Sequence, residues 1–168
     1  MSDLLKGFRM VRMSEDDEVY CAAYGSNLSE ERMKSRCPGA EVYGISVIHG
    51  YRLLFKQSMT GAYATIEKEK GQTVPVLLWR ITEEDEASLD HYEGFPTFYY
   101  KRVIQAVKTD EHGIRCGLTR GMAYIMHEDR KLGIPSCHYF ETLDKAYLKF
   151  GFDEDILGDA YEYSWPAD

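Results

Sequence analysis

Residues 19–28, V-Y-C-A-A-Y-G-S-N-L, run β-forming residues straight into a Gly-Ser-Asn break, after which Ser29-Glu30-Glu31 opens a helix. A strand that feeds a helix through so tight a turn leaves successive backbone N–H groups unpaired, and the helix N-terminus adds partial positive charge. The result is a cradle for a small anion such as a carboxylate or a phosphate. Gly25 is required there if the turn needs positive φ or a close approach of backbone to ligand, because a Cβ blocks both. The same residues also satisfy a plainer reading, a strand-to-helix turn with Asn27 or Ser29 as N-cap.

The rest of the chain sets this turn in a strand-rich unit. A helix over 29–36 stops at Cys37-Pro38-Gly39, and two β-rich runs follow at 41–48 and 51–56, joined through His49-Gly50. A short strand at 61–67 closes in the polar turn 68–73. Residues 74–81, V-P-V-L-L-W-R-I, are almost continuously apolar and predict a buried central strand, with Pro75 confined to its beginning. Thr82-Glu83-Glu84-Asp85 starts a capped helix that ends at Gly94. Segments 98–108 and 118–126 predict a hairpin across the turn 110–113. Ser136 caps a helix with Tyr139, Leu143, Ala146 and Tyr147 on one face, Gly151 stops it, and an amphipathic piece covers 153–161. About seven strands with helices inserted and appended predict an α+β domain, a small, mostly antiparallel β-barrel or strongly curved sheet with peripheral helices.

At 168 residues the chain is long enough for one domain with a real core. That domain is expected over 19–162. The like-charged run Ser14-Glu15-Asp16-Asp17-Glu18 marks 1–18 as a flexible acidic extension, and 163–168 reads as a tail. A net charge of −8 with scattered basic residues argues against a nucleic-acid partner. No apolar run reaches the roughly 18 residues that span a bilayer, and no apolar stretch follows the early Lys6, Arg9 and Arg12 to make a secretion signal. Cys21, Cys37, Cys116 and Cys137 show no metal spacing and are expected as reduced thiols of a cytoplasmic protein. His91-x-Glu93 lacks the P-C-x-x-C that a zinc deaminase needs, so no zinc site is expected.

Glu93, in Leu89-Asp90-His91-Tyr92-Glu93-Gly94-Phe95, stands at a helix C-terminus among aromatic residues. The negative end of the helix dipole and the exclusion of water both push such a carboxyl toward the protonated form, which makes it a candidate general acid/base. A solvated Glu in a closing helical turn fits the same pattern.

Y-G-S-N-L, then A-Y-A-T-I-E, V-L-L-W-R-I, L-D-H-Y-E-G-F and Y-Y-K-R, in this order, make the chain resemble the gamma-glutamylcyclotransferase family over roughly 20–150. The resemblance implies a small mixed barrel with helices around it and a cofactor-free, metal-free reaction. In that reaction the substrate's own α-amine attacks its γ-glutamyl carbonyl to give 5-oxoproline. By position the family's glutamate falls on Glu93, and the loop that holds the glutamyl α-carboxylate falls on Tyr24, Gly25, Ser26, Asn27 and Leu28. Pocket tyrosines fall on Tyr100, seven residues beyond Glu93, and on Tyr139, with His138 within one residue of slack. Gly61-Ala62 and Phe95-Pro96-Thr97 depart from the family pattern on what would be the leaving-group side. The implied partner is a small γ-glutamyl molecule, and a homodimer is left open. A non-catalytic module binding γ-glutamyl or other amino-acid-like ligands, and an enzyme acting on γ-glutamyl amines or protein crosslinks, share the pattern. Nothing in the sequence marks a site for a glycine-terminated tripeptide.

Overall fold

The structure, a computed structural model, describes residues 19–110, 112 and 114–167. The acidic extension expected over 1–18 and part of the turn expected at 110–113 lie outside the described residues. Among the described residues the strands are β1 (Val19–Ala23), β2 (Glu41–Gln57), β3 (Ala62–Arg80), β4 (Tyr99–Thr109) and β5 (Arg115–Met126). A single 3-10 turn, Ser26–Leu28, and helix α1 (Glu30–Arg36) follow β1. Helix α2 (Glu83–Tyr92) joins β3 to β4, and α3 (Cys137–Phe150) and α4 (Glu154–Tyr163) end the chain.

The strands close on themselves in the order β1-β3-β2-β4-β5, every neighbouring pair antiparallel except β1 with β5. β1 is short and wedged between β3, through Cys21 opposite Trp79, and β5, through Tyr20 opposite Gly121. Buried on both faces, it reads as a continuous apolar run rather than an alternating one. The core fills the ring with Trp79, Leu77, Leu78 and Val76 of β3, Ile48, Leu53 and Phe55 of β2, and Tyr147 and Leu143 of α3.

The seven expected strands become five because two breaks are bends. His49-Gly50 interrupts pairing without ending β2, and across from it residues 69–72 of β3 bulge opposite Gly50 alone. Gly50 and Gly71 supply positive φ there. A bulge kinks a strand and raises its twist, as closure of so small a barrel demands. Pro75 accordingly lies within β3, not at its beginning, at a position beyond the reach of β1.

Among the described residues no helix is long and apolar enough to cross a membrane. The C-terminal helix packs on the barrel through its last turn. α4 includes Tyr163, the first residue of the expected tail, and Ser164 is fully buried. Its hydroxyl accepts the Phe55 N–H at 2.8 Å and donates to the Ala160 carbonyl at 2.7 Å. β2 pairs with β4 only at Ser46 and Val47, so Phe55 N–H lies on an edge that no strand covers. Ser164→Ala therefore strands a buried donor. Denaturant unfolding should show a loss of about 1–3 kcal/mol, whereas an unchanged midpoint would mean that water replaces the hydroxyl.

Candidate active site

The turn after β1 is built as a tight 3-10 loop. Leu28 N–H donates to Gly25 O at 3.0 Å, Ser29 N–H donates to Ser26 O at 3.1 Å, and the Ser29 hydroxyl caps α1 at Arg32 N–H. Ser29 is thus the N-cap, and the opening amides of the turn, those of Ser26 and Asn27, have no partner within it. Gly25 has φ −115°, so close approach and not positive φ is what it supplies. A Cβ there would stand 3.2 Å from the Tyr139 hydroxyl oxygen.

Asn27 ties this loop to the end of α2. Its backbone carbonyl accepts the Trp79 indole N–H at 3.1 Å, and its side-chain oxygen accepts from Arg36. With that oxygen occupied by a guanidinium, the amide NH2 is turned toward Glu93 and donates to Oε1 at 3.2 Å. Arg36 also donates to Ser26 Oγ at 3.0 Å and to the Tyr92 hydroxyl, with its guanidinium 3.6 Å from the Tyr92 ring centre.

Glu93 is the C-cap of α2, its N–H bonded to Leu89 O at 2.8 Å, and Gly94 follows at φ +64°. A side chain at 94 would be strained in that left-handed conformation and would meet the Phe98 ring at 2.7 Å. Burial is the main influence on the Glu93 carboxyl and pushes its pKa up to about 7, against the opposing pull of Arg36 and the Asn27 hydrogen bond. Arg36 reaches Glu93 only through space and through Asn27. The carboxyl consequently meets one neutral donor and no ion pair among the described residues, which leaves its desolvation largely uncompensated.

Glu93 faces a cavity of about 550 Å³ between the end of β1, the 24–27 loop, the β2–β3 connection and the ends of α2, β4 and β5. Of the residues singled out in the sequence, Tyr24, Gly25, Ser26, Asn27, Glu93 and Tyr139 line it. Two expected residues do not. Leu28 is buried beneath the loop as a core side chain. Tyr100 points to the outer face of β4, where its hydroxyl bonds Glu128 and its ring packs on His127. Its neighbour Tyr99 takes the inner position, since successive strand residues alternate faces and a one-residue slip inverts them.

The cavity tyrosines differ in where their protons go. Tyr24 donates to Tyr124 O, Tyr99 to Ala64 O at 3.1 Å and Tyr124 to Asp90 Oδ1 at 2.7 Å. Tyr139 instead accepts the Ala64 N–H at 3.1 Å, so its own proton has no acceptor among the described residues. Burial holds Tyr139 protonated far above neutrality, and the same is true of Tyr24 and Tyr99. Cys21 also lines the cavity, but burial and the nearby Glu93 push its thiol up, which suppresses the thiolate a nucleophile needs. His138 stays at the exposed rim against Arg32.

Arg32, Arg36, Tyr63, Tyr99 and Tyr124 are the site residues that the sequence reading did not single out. The i, i+4 spacing of Arg32 and Arg36, two cations on one face of the helix after the loop, was the available sign. Among the described residues no group of three or more His, Cys, Asp and Glu is arranged to hold a metal ion.

The raised pKa carries a stability consequence. The folded state binds the Glu93 proton more tightly than the unfolded chain does, so this contribution is favourable at low pH and is lost as pH rises from about 4.5 to about 7. Glu93→Gln keeps the acceptor for Asn27 and removes the charge. Its stability should match wild type below pH 4.5 and exceed it by at most about 3 kcal/mol above neutrality, measured by denaturant unfolding across pH; a gap independent of pH would rule out the shift.

Residues 21–141 match the family described as gamma-glutamyl cyclotransferase, AIG2-like. The gamma-glutamylcyclotransferase of Bos taurus is 31% identical over 112 residues, which are 62% of this chain and 60% of that protein. The gamma-glutamylcyclotransferase of Homo sapiens is 29% identical over 112 residues with the same shares. The chain therefore spans about 60% of the length of these curated relatives. A solved gamma-glutamyl cyclotransferase structure superposes with TM-score 0.74 over 89% of each chain at 23% identity, a likeness of fold. With nearly three quarters of its length inside the match, the chain belongs to the gamma-glutamyl cyclotransferase, AIG2-like family.

Proposed function

We propose that the protein is a cyclotransferase that converts a γ-glutamyl amino acid or γ-glutamyl amine to 5-oxoproline plus the free amino acid or amine, with Glu93 as the general acid/base. The observation that carries this reading is a carboxyl balanced near pH 7 on the wall of a tyrosine-lined cavity, hydrogen-bonded to the loop beside it. The names of the curated relatives support the same reaction.

In this mechanism the Ser26 and Asn27 amides hold the glutamyl α-carboxylate, which places the α-amine near its own γ-carbonyl. Such proximity supplies roughly 7–11 kcal/mol of the barrier. Glu93 takes a proton from the amine as its nitrogen bonds to the γ-carbonyl carbon. The amine attacks unprotonated and its nitrogen becomes ammonium-like, near 7.8, as the bond forms; against that an ordinary carboxylate of pKa about 4.3 works uphill by about 5 kcal/mol, and at about 7 the deficit falls to about 1 kcal/mol. The uncommitted Tyr139 proton stabilises the oxyanion of the tetrahedral intermediate. When the bond from that carbon to the leaving nitrogen breaks, Glu93 returns the proton to that nitrogen. No water is consumed, and Glu93 ends as it began.

The test is chromatographic detection of 5-oxoproline after incubation with γ-glutamyl-alanine, γ-glutamyl-lysine and glutathione. Wild type should form product from at least one γ-glutamyl compound and Glu93→Gln from none, while Glu93→Gln still binds substrate by calorimetry. Tyr139→Phe should slow turnover by about 10²-fold, and Tyr100→Phe, on the outer face, should leave it within about twofold. Full activity in Glu93→Gln overturns the assignment of the base. Binding without product in wild type replaces the enzyme with a γ-glutamyl-binding module.

A further inference from the structure

The cavity wall contains a seam where strand pairing does not close the barrel. β1 covers β3 only at Leu77, Leu78 and Trp79, so the first half of β3 has no strand on that edge. Ala64 of that half faces Phe55 of β2 as a pair that exchanges no hydrogen bonds. Phe55 turns its N–H to Ser164 and its carbonyl to Gly133, and Ala64 turns both of its backbone groups to the opposite edge. Two tyrosine hydroxyls stand there in place of a strand. Tyr99 donates to the Ala64 carbonyl and Tyr139 accepts the Ala64 N–H, each at 3.1 Å. One residue along, Thr65 Oγ1 accepts the Met126 N–H at 2.9 Å, so side chains close the seam at that point too.

The two hydroxyls are used in opposite senses. Tyr99 spends its proton on the seam, whereas Tyr139 spends a lone pair and keeps its proton. Burial holds the Tyr139 proton and the Ala64 N–H pulls the other way, so accepting that bond makes the hydroxyl a stronger donor to whatever it meets next. The Tyr139 ring is fixed by T-shaped contacts with Phe55 and Tyr63, at centroid separations of 6.4 and 5.2 Å. Its oxygen lies against the 24–27 loop, 3.2 Å from where a Cβ on Gly25 would stand. What the packing leaves open is the direction of the proton. The N–H and C=O of one strand residue lie on the same edge, which makes the Ala64 carbonyl the competing acceptor beside the bond that Tyr139 already makes. Tyr99 occupies that carbonyl.

We propose that Tyr99 is a positioning residue for the reaction: by satisfying the Ala64 carbonyl it leaves the Tyr139 proton to the substrate. The role of that proton at the oxyanion rests on the cyclotransferase reading. Without the Tyr99 hydroxyl a buried carbonyl is orphaned. That carbonyl, or a water bound to it, then takes the Tyr139 proton, and the oxyanion loses its donor although Tyr139 is still present. If Tyr99 served the fold alone, its loss would lower stability and leave the Tyr139-dependent part of the rate untouched.

The experiment is a double-mutant cycle on kcat with γ-glutamyl-alanine. Tyr99→Phe should lower kcat about 10-fold with KM within about twofold, and in a Tyr139→Phe background the same substitution should change kcat by less than about twofold. Replacing Tyr99 by para-aminophenylalanine keeps an N–H donor for the carbonyl and should hold kcat within about threefold of wild type. Equal losses in both backgrounds, no loss in the first, or a loss of about 10-fold with para-aminophenylalanine each overturns the proposal. A second readout needs no turnover. With tyrosine isotope-labelled at Cζ, and Tyr139→Phe to assign the resonance, Tyr99→Phe should move the Tyr139 NMR signal as its hydroxyl becomes a donor within the protein; an unmoved signal overturns the proposal whatever the rates. If wild type forms no 5-oxoproline while that signal moves, the cyclotransferase reading falls and the hold of Tyr99 over the Tyr139 proton stands.

Discussion

The site depends on one hydrogen bond between distant parts of the chain, from the Asn27 amide to the Glu93 carboxyl. Asn27 is committed at every polar atom that points inward: its carbonyl to Trp79 in the barrel core, its side-chain oxygen to Arg36, its amide nitrogen to Glu93. The loop after β1 and the end of α2 are thereby fixed relative to each other. Arg36 acts behind this bond. Its charge is spent on Ser26, Asn27 and Tyr92, so Glu93 receives a neutral donor rather than a salt bridge and keeps the proton affinity that burial gives it.

The position of α2 has its own anchor. Lys101 of β4, almost wholly buried, sits between Glu86 and Asp90 at 2.9 and 3.0 Å, and Asp90 also accepts the Tyr124 hydroxyl of β5. A buried ion pair of this kind is a weak source of net stability, but losing one partner is expensive, so it holds the helix in one register against the two strands. Asp90 and Glu93 are three residues apart on that helix. One carboxylate locks it in place and the other, one turn on, is left unpaired at the cavity.

Much of this was legible in the sequence. The apolar run at 74–81 marked a strand flanked on both sides, and the break at Gly25 and the helix stop at Gly94 marked the two ends that meet. Strand number was overcounted because polar residues and glycine at 68–73 look the same in a turn as in a bulge exposed on both faces. The resemblance implies a pocket tyrosine at Tyr100, seven residues beyond Glu93, but the pleat turns that residue outward; Tyr99, its inward neighbour, differs by one position and the opposite face. Arg32 and Arg36 were missed because cations on a short helix read as a solvated face. Their hydrogen bonds reach α3 and α2, elements that no local pattern connects to α1.

The account turns on the protonation of one side chain, and that can be measured directly. With carboxyl-carbon-labelled glutamate in the wild-type protein, and Glu93→Gln to assign the resonance, an NMR titration should show Glu93 changing state near pH 7. A midpoint near 4.5, the ordinary value for a glutamate, would mean that the cavity solvates the carboxylate fully, and the case for Glu93 as an acid/base at neutral pH would fail.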